Sequence, residues 1–419
     1  MIRMKDSGIT WCGQIPENWA IMPNKYVMFK KKEICAKYNG QDILSLTMDG
    51  VIVRDLAAGG KMPATFDGYQ IVYPDNLLMC LFDYDVTPRC IGLIKNEGLT
   101  SPAYSQFVIK NGNSPKYYYY YYYYLMIDNT KELLHLAKNL RHSFTEDQLG
   151  VINTPVPPIK TQNKIADFLD EKCNEIDLLH KTIEKQIETL EEYKKSVITE
   201  AVTKGLNADV KMKDSGIELV GLVPNHWTIL KTGYLFKENV RKALEDDIPL
   251  SLSQVDGLIA TDKMKESSLK TASYDGWKHV VEDDLVLNRF KAHLGVMFAS
   301  TIQGMVSFHY GVFEKQRPLV TKYYEYLFHT NAYKTIYAGL SNGMTVGLQN
   351  LSNQNFYTAK CLYPSYDEQK EIVDYLDRKC NEINGAIIEK SEQLEILEQY
   401  KKSLIYEYVT GKKEVPNNE

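Results

Sequence analysis

Lys5-Asp6-Ser7-Gly8-Ile9 returns in the same chain as Lys213-Asp214-Ser215-Gly216-Ile217, a shift of 208 residues. Working outward, Gly13, Pro16 and Trp19 return as Gly221, Pro224 and Trp227. Ser101, Tyr104 and Phe107 return as Ser307, Tyr310 and Phe313. Gln162, Asp170 and Lys172-Cys173-Asn174-Glu175-Ile176 return as Gln369, Asp377 and Lys379-Cys380-Asn381-Glu382-Ile383. The order never changes. A repeat of this length duplicates a whole domain unit rather than a solenoid module. Two related halves in one chain are suited to doing one job at two places.

The bulk composition fits that reading. Of 419 residues, 44% are hydrophobic and 25% charged, as in ordinary soluble proteins. No apolar run approaches the roughly 20 residues of a membrane span, and the N-terminus has no signal-peptide core, so a cytoplasmic location is expected. The seven cysteines form no Cys-x-x-Cys pair, which argues against a structural zinc site or a disulfide framework. Cys173 and Cys380, at equivalent repeat positions, are expected to be buried packing residues. A net charge of −5 weighs weakly against nucleic acid, but net charge averages over faces and leaves room for a local basic lining.

The clearest periodicity lies in 162–203. Leu169, Ile176, Ile183, Leu190 and Val197 recur at seven-residue intervals, with Cys173, Ile187 and Ala201 four further on. The second copy reads Leu376, Ile383, Lys390, Leu397 and Leu404, flanked by Cys380, Ile387 and Leu394. This is a coiled-coil seam. Pro155, Pro157, Pro158 and Pro364 bar an earlier helix start, and Gly205 and Gly411 stand where stop signals belong. Some 40 helical residues make a rod of about 60 Å, longer than the roughly 34 Å of one DNA turn. Neither helix buries its seam alone, so the expectation is an antiparallel pair with the globular units at opposite ends under a pseudo-twofold axis. A plain dimerisation stalk is the competing reading.

Residues 1–155 and 208–361 read as mixed α/β units. Period-two runs at 43–46 and 250–252 lead into Asp49-Gly50 and Asp256-Gly257 turn signals. A turn and strand follow at 68–73 and 276–281, then apolar strands at 77–82 and 285–290. Between these anchors the copies differ in polar stretches: 54–64 against 260–271, 83–98 against 291–303, and 141–150 against 341–350. A kept frame with divergent polar loops is expected of a scaffold whose recognition has changed. Residues 117–124 are eight consecutive tyrosines. A stacking platform for unpaired bases is one reading. The preferred one is an element with its rings packed inward and its hydroxyls outward.

Catalytic motifs are missing from the sequence. It contains no phosphate-binding P-loop, no dinucleotide fingerprint, no H-E-x-x-H and no G-x-S-x-G. An Asn/Asp-Pro-Pro-aromatic tetrapeptide, expected of a DNA amino-methyltransferase, is also missing, since Pro157-Pro158 follows Val156 and precedes Ile159.

The opening Lys5 to Ile9 with Gly13, Pro16 and Trp19, and its return, resembles the opening of the specificity subunit of type I restriction-modification enzymes. Residues 162–170 and 369–377 are similar to the start of that family's helical region, and Glu192-Tyr193-Lys194-Lys195-Ser196 and Gln399-Tyr400-Lys401-Lys402-Ser403 to its later part. The resemblance implies an α+β chain. It has target-recognition domains at 1–155 and 208–361, long helical spacers at 156–207 and 362–415 forming an antiparallel coiled coil, and a tail at 416–419. It implies a non-catalytic subunit that reads an asymmetric, bipartite site on double-stranded DNA. The spacers, through Leu169, Ile176, Ile183, Leu190, Val197, Leu376, Ile383, Leu397 and Leu404, set the gap and dock two methyltransferase subunits. Restriction/translocase subunits join for cleavage. S-adenosylmethionine, ATP and Mg belong to the partners, with no cofactor or metal in this chain and no membrane.

Base readout favours Arg, Lys, Asn and Gln in the major groove, and phosphates call for Lys and Arg. The candidate DNA contacts are Arg54, Lys61, Arg89, Arg141 and His142 in the first unit. In the second they are Lys263, Lys265, Arg289, Lys291, His293 and Asn342. Arg289 and Lys291 rank highest, because they leave an apolar strand straight into a divergent loop. The rival function is a coiled-coil protein-interaction scaffold without DNA binding, which fits the acidic net charge better and the doubled motifs less well.

Overall fold

The computed structural model describes residues 3–48, 50–58, 63–82, 91–128, 143–264, 273–343 and 349–416. Its helices are α1 (Pro115–Tyr123), α2 (Glu146–Val151), α3 (Ile159–Lys204), α4 (Thr321–Phe328), α5 (Asn331–Leu340), α6 (Asn353–Thr358) and α7 (Tyr366–Val409). The chain divides into two compact units. Unit 1 joins 1–184 with 392–419, and unit 2 is the continuous stretch 185–391. The divisions fall inside α3 and α7, so each globular lobe is completed by the terminal half of the other copy's long helix.

The two units repeat one frame. In unit 1 a four-stranded antiparallel sheet runs in the order Met28–Lys31, Ser105–Ile109, Leu77–Met79, Ile91–Leu93. In unit 2 the order is Phe236–Glu238, Tyr310–Lys315, Leu285–Asn288, Met297–Ala299. The apolar runs at 77–82 and 285–290 do supply central strands, but shorter ones than the sequence suggests. The second leaves the ladder where the pattern turns polar, and Arg289–Leu294 becomes a 3-10 segment, whereas the first leaves it after Met79, while Cys80, Leu81 and Phe82 are still apolar. The hairpins form as the turn signals predict, Leu44–Thr47 with Gly50–Val53 and Leu250–Ser253 with Gly257–Ala260. Asp49 itself lies outside the described residues.

The tyrosine run folds as α1 and continues as one wider turn over Tyr124–Asp128. Pro115 at the first helical position suits the start, and a helix that is aromatic on every side belongs in a core. The expectation of outward hydroxyls is not met. Tyr117, Tyr118, Tyr121 and Tyr122 are fully buried, and their hydroxyls are used inside. Tyr117 donates to the Val409 carbonyl at 2.8 Å, Tyr118 to the Pro155 carbonyl at 3.3 Å and Tyr122 to Asn24 Oδ1 at 2.6 Å. A buried hydroxyl without a partner costs about 1–3 kcal/mol, so the interior supplies acceptors. No base-stacking platform is left at these rings. Unit 2 repeats the pattern on α4. Tyr323 donates to the Val202 carbonyl at 2.8 Å, Tyr324 to the Leu362 carbonyl at 3.2 Å and Tyr326 to Asp377 Oδ1 at 2.6 Å, matching Tyr120 to Asp170 Oδ1 at 2.8 Å.

The seam of the long helices is buried in its unit at Leu169, Ile176, Ile183, Val197, Leu376, Ile383 and Leu404, and half-buried at Ile187, Leu190, Ile387, Leu394 and Leu397. In unit 1, Leu169, Cys173 and Ile176 share a core with Leu404, Ile405, Tyr408 and Val409. Phe168 packs on Tyr408 with ring centroids 4.5 Å apart, and Lys401 Nζ donates to Asp177 Oδ1 at 2.5 Å. As one strand of the pair advances the other retreats, so within unit 1 the segments run antiparallel. In unit 2, Val197, Ala201 and Val202 meet Ile372, Val373 and Leu376, and Lys194 Nζ donates to Asn384 Oδ1 at 2.7 Å, again antiparallel. Glu188, Glu191 and Glu192 are exposed. Gly205 (φ 74°) and Gly411 (φ 70°) end the helices in the left-handed region that favours glycine. Cys173 and Cys380 are buried thiols, and burial pushes Cys173 up to about 11.

Candidate nucleic-acid interface

The 3-10 segment of unit 2 is built by its first residues. Asn288 Oδ1 accepts from the Phe290 and Lys291 N–H groups at 3.1 and 3.3 Å, satisfying donors at the segment's start, and Gly295 (φ 80°) ends it. Ala292 points into the core, while Phe290 and Lys291 face solvent. Arg289 does not swing free. Its Nη2 donates to Glu238 Oε1 at 2.6 Å, and the two side chains are only 18% and 17% exposed. Lys278 Nζ reaches the same oxygen at 2.8 Å, Asn353 Nδ2 donates to Glu238 Oε2, and the Glu238 N–H donates to the Tyr357 hydroxyl at 2.8 Å. Burial opposes ionisation of Glu238. The Lys278 hydrogen bond and charge, the Arg289 charge and the Asn353 hydrogen bond outweigh it and hold the carboxyl below its usual range.

The Leu351 N–H donates to the Arg289 carbonyl at 3.0 Å, and Asn342 and Asn350 exchange backbone hydrogen bonds at 3.0 and 2.9 Å. Arg289, Lys291 and Asn342 therefore lie on adjoining segments, with Asn342 at the neck of a loop whose residues 344–348 lie outside the described residues. His293 is half-buried, and its Nδ1 finds no hydrogen-bond partner among the described residues. Lys263 is exposed on a separate 3-10 turn, Thr261–Lys263, after the hairpin. In unit 1, Arg54 follows the strand Gly50–Val53, and its N–H donates to the Ile43 carbonyl at 2.7 Å. Lys61, Arg89, Arg141, His142 and Lys265 lie outside the described residues.

Sequence reasoning does not find Glu238, Lys278 or Asn353, which organise the cations of unit 2. Glu238 and Asn353 meet across 115 residues, and no local pattern marks them. Two exposed aromatics, Phe308 and His309, also border this region; the only sequence signal for them is bulky rings in the middle of a tight turn, where small or turn-forming residues are usual. Among the described residues no cluster of His, Cys, Asp or Glu is arranged to hold a metal ion, and no helix is long and apolar enough to cross a membrane.

Comparison with known proteins gives a consistent likeness. The family described as type I restriction modification DNA specificity domain matches residues 92–189. A putative type I restriction enzyme MjaX specificity subunit from Methanocaldococcus jannaschii is 34% identical over 91 residues. That match covers 22% of this chain and 20% of the relative, so the chain aligns with about a fifth of the curated relative's length. A chain from a structural study of complex assembly and conformational transition of the type I R-M system superposes with a TM-score of 0.67 at 11% identity, covering 94% of this chain and 98% of that one. The HsdS subunit from Thermoanaerobacter tengcongensis gives 0.50 at 11% identity, covering 95% and 98%. The resemblance to type I specificity subunits is thus found in the sequence of one segment and in the fold of nearly the whole chain.

Proposed function

We propose that this chain is the non-catalytic DNA-recognition subunit of a type I restriction-modification complex, reading an asymmetric bipartite site. The observation that carries the reading is one frame built twice, the same sheet order and the same tyrosine hydrogen bonds, with different charged residues on its polar edges. Identical halves suit a palindrome; related but unequal halves suit two different half-sites.

In this reading, 1–155 and 208–361 are the target-recognition domains, 156–207 and 362–415 are spacers, and 416–419 is a tail. The spacers form an antiparallel coiled coil under a pseudo-twofold axis, set the gap between half-sites and dock two methyltransferase subunits. Restriction subunits complete the assembly, and S-adenosylmethionine, ATP and Mg act on those partners. Arg54, Lys263, Arg289, Lys291, His293 and Asn342 are the contact candidates with described positions. Arg289, anchored by Glu238, positions the segment that carries Lys291 and accounts for less direct readout than its place in the sequence suggests.

The test is nuclease footprinting with this chain assembled with the methyltransferase from its own genome. Two protected half-sites separated by a fixed gap are expected. Assembly without any sequence-selective protection would favour a protein-interaction scaffold instead.

A further inference from the structure

We propose, resting on the DNA-reading assignment above, that Phe290, Phe308 and His309 form an aromatic knob that wedges against base pairs of the half-site read by unit 2. Residues 307–310 make a tight turn, in which the Tyr310 N–H donates to the Ser307 carbonyl at 3.0 Å and the His309 N–H to Ser307 Oγ at 3.5 Å. Unit 1 builds the same turn at 101–104, with the Tyr104 N–H donating to the Ser101 carbonyl at 3.2 Å and the Ala103 N–H to Ser101 Oγ at 3.3 Å. Only the central pair differs, Pro102-Ala103 in unit 1 and Phe308-His309 in unit 2. Proline followed by a small residue is ordinary turn chemistry; two rings are not.

The rings serve no core. Phe308 is 54% exposed and lies against His309 with centroids 4.0 Å apart, and Phe290, 44% exposed, lies 5.9 Å from His309. The counterpart of Phe290 in unit 1, Phe82, is half-buried and stacks on Tyr104 at 6.3 Å. A contiguous exposed aromatic cluster marks a contact surface, whereas scattered exposed rings need no explanation.

The surrounding charge selects the occupant. Arg289 and Lys291 flank Phe290 in sequence, and Lys278 Nζ donates to the Tyr310 carbonyl at the edge of the turn. Lys278 and Arg289 share the Glu238 carboxylate, so these three cations and that one acid leave a net positive charge beside the rings. Lys291 is the exposed cation here, and an apolar protein face would strip water from it without replacing it. A polyanion that also offers ring faces satisfies both parts: phosphates meet the positive charge and the rings enter between base pairs. Such wedges favour pyrimidine–purine steps, which unstack easily, so the half-site of unit 2 contains one and that of unit 1 need not.

The experiment uses the full chain assembled with its methyltransferase partner, and duplexes selected from a random-sequence pool by that wild-type assembly. The main variant combines Phe308→Pro with His309→Ala, the turn that unit 1 already uses; Phe290→Ala is the second. Each is expected to bind the selected duplexes about tenfold more weakly and to change the selected sequence in one half-site alone. The salt dependence stays unchanged, because the rings neutralise no phosphate, whereas Lys291→Ala lowers its slope by about one. Wild-type affinity and selection in the turn variant would overturn the wedge while leaving DNA reading intact. Loss of assembly with the methyltransferase would assign the knob to protein docking and overturn it too. If the wild-type assembly selects no duplex, the DNA assignment itself falls.

Discussion

Where a sheet strand meets the first turn of a short helix, the strand residue carries opposite charge in the two units. In unit 1 the cation Lys30 on the strand pairs with Glu146, the first residue of α2, which also accepts from Ser105 Oγ at 3.1 Å. In unit 2 the acid Glu238 on the equivalent strand meets the amide of Asn353, the first residue of α6, and gathers Lys278 and Arg289 as well. The helices keep the same start, capped by Thr145 in one and Ser352 in the other. Backbone, caps and tyrosine hydrogen bonds define the frame, and charge on its edge is free to be reassigned. That freedom is what a recognition module needs.

The comparison is broken most severely at the tyrosines. Tyr118→Ala and Tyr324→Ala each remove a fully buried ring with the same kind of carbonyl partner, and each should cost about 3–5 kcal/mol. Hydrogen-exchange protection, read unit by unit, should fall mainly in the unit mutated. Clearly unequal losses would mean that the frames are less alike than their hydrogen bonds.

The helix ends should respond unequally. A Cβ on Gly411 would stand 2.5 Å from Pro16 Cδ and 2.8 Å from Trp19 Cη2, both parts of rigid rings. A Cβ on Gly205 would stand 3.2 Å from Glu368 Oε1, the tip of a flexible side chain. Gly411→Ala should therefore cost about 3 kcal/mol and Gly205→Ala about 1 kcal/mol, measured by denaturant unfolding.

Charge effects come next. Glu238→Ala strands two cations that are largely withdrawn from water and should cost about 2 kcal/mol. Lys30→Ala breaks a pair whose side chains are 37% and 39% exposed and should cost under about 1 kcal/mol. The smallest effect is in pH dependence. Because the Glu238 carboxyl is held below the usual glutamate value of 4.5, its contribution is complete above that value and is lost as pH falls through the lower folded value. Glu238→Gln should flatten the acid limb of the stability profile of unit 2, and an unchanged limb would remove Glu238 from the account.

Much of the frame is legible in the sequence because it rests on local signals. The seven-residue spacing from Leu169 to Val197, Gly205 and Gly411 as stops, and the Asp256-Gly257 turn all act over a few residues. The order of the central sheet is not legible, since Met28–Lys31 pairs with Ser105–Ile109 across a long stretch of chain. Nor is the fate of the tyrosine hydroxyls, because Tyr117 finds its acceptor 292 residues away. At the candidate interface the sequence supplies cations but not their partners. Arg289 looks like a free reader until Glu238, 51 residues earlier, is seen to hold it.

Methylation mapping of DNA modified by this chain together with its methyltransferase tests the central claim most directly. The account predicts one motif made of two unequal half-sites with a fixed gap, altered in one half alone when the turn at 307–310 is exchanged for that at 101–104. A continuous or palindromic motif, or modification that does not depend on this chain, would contradict it.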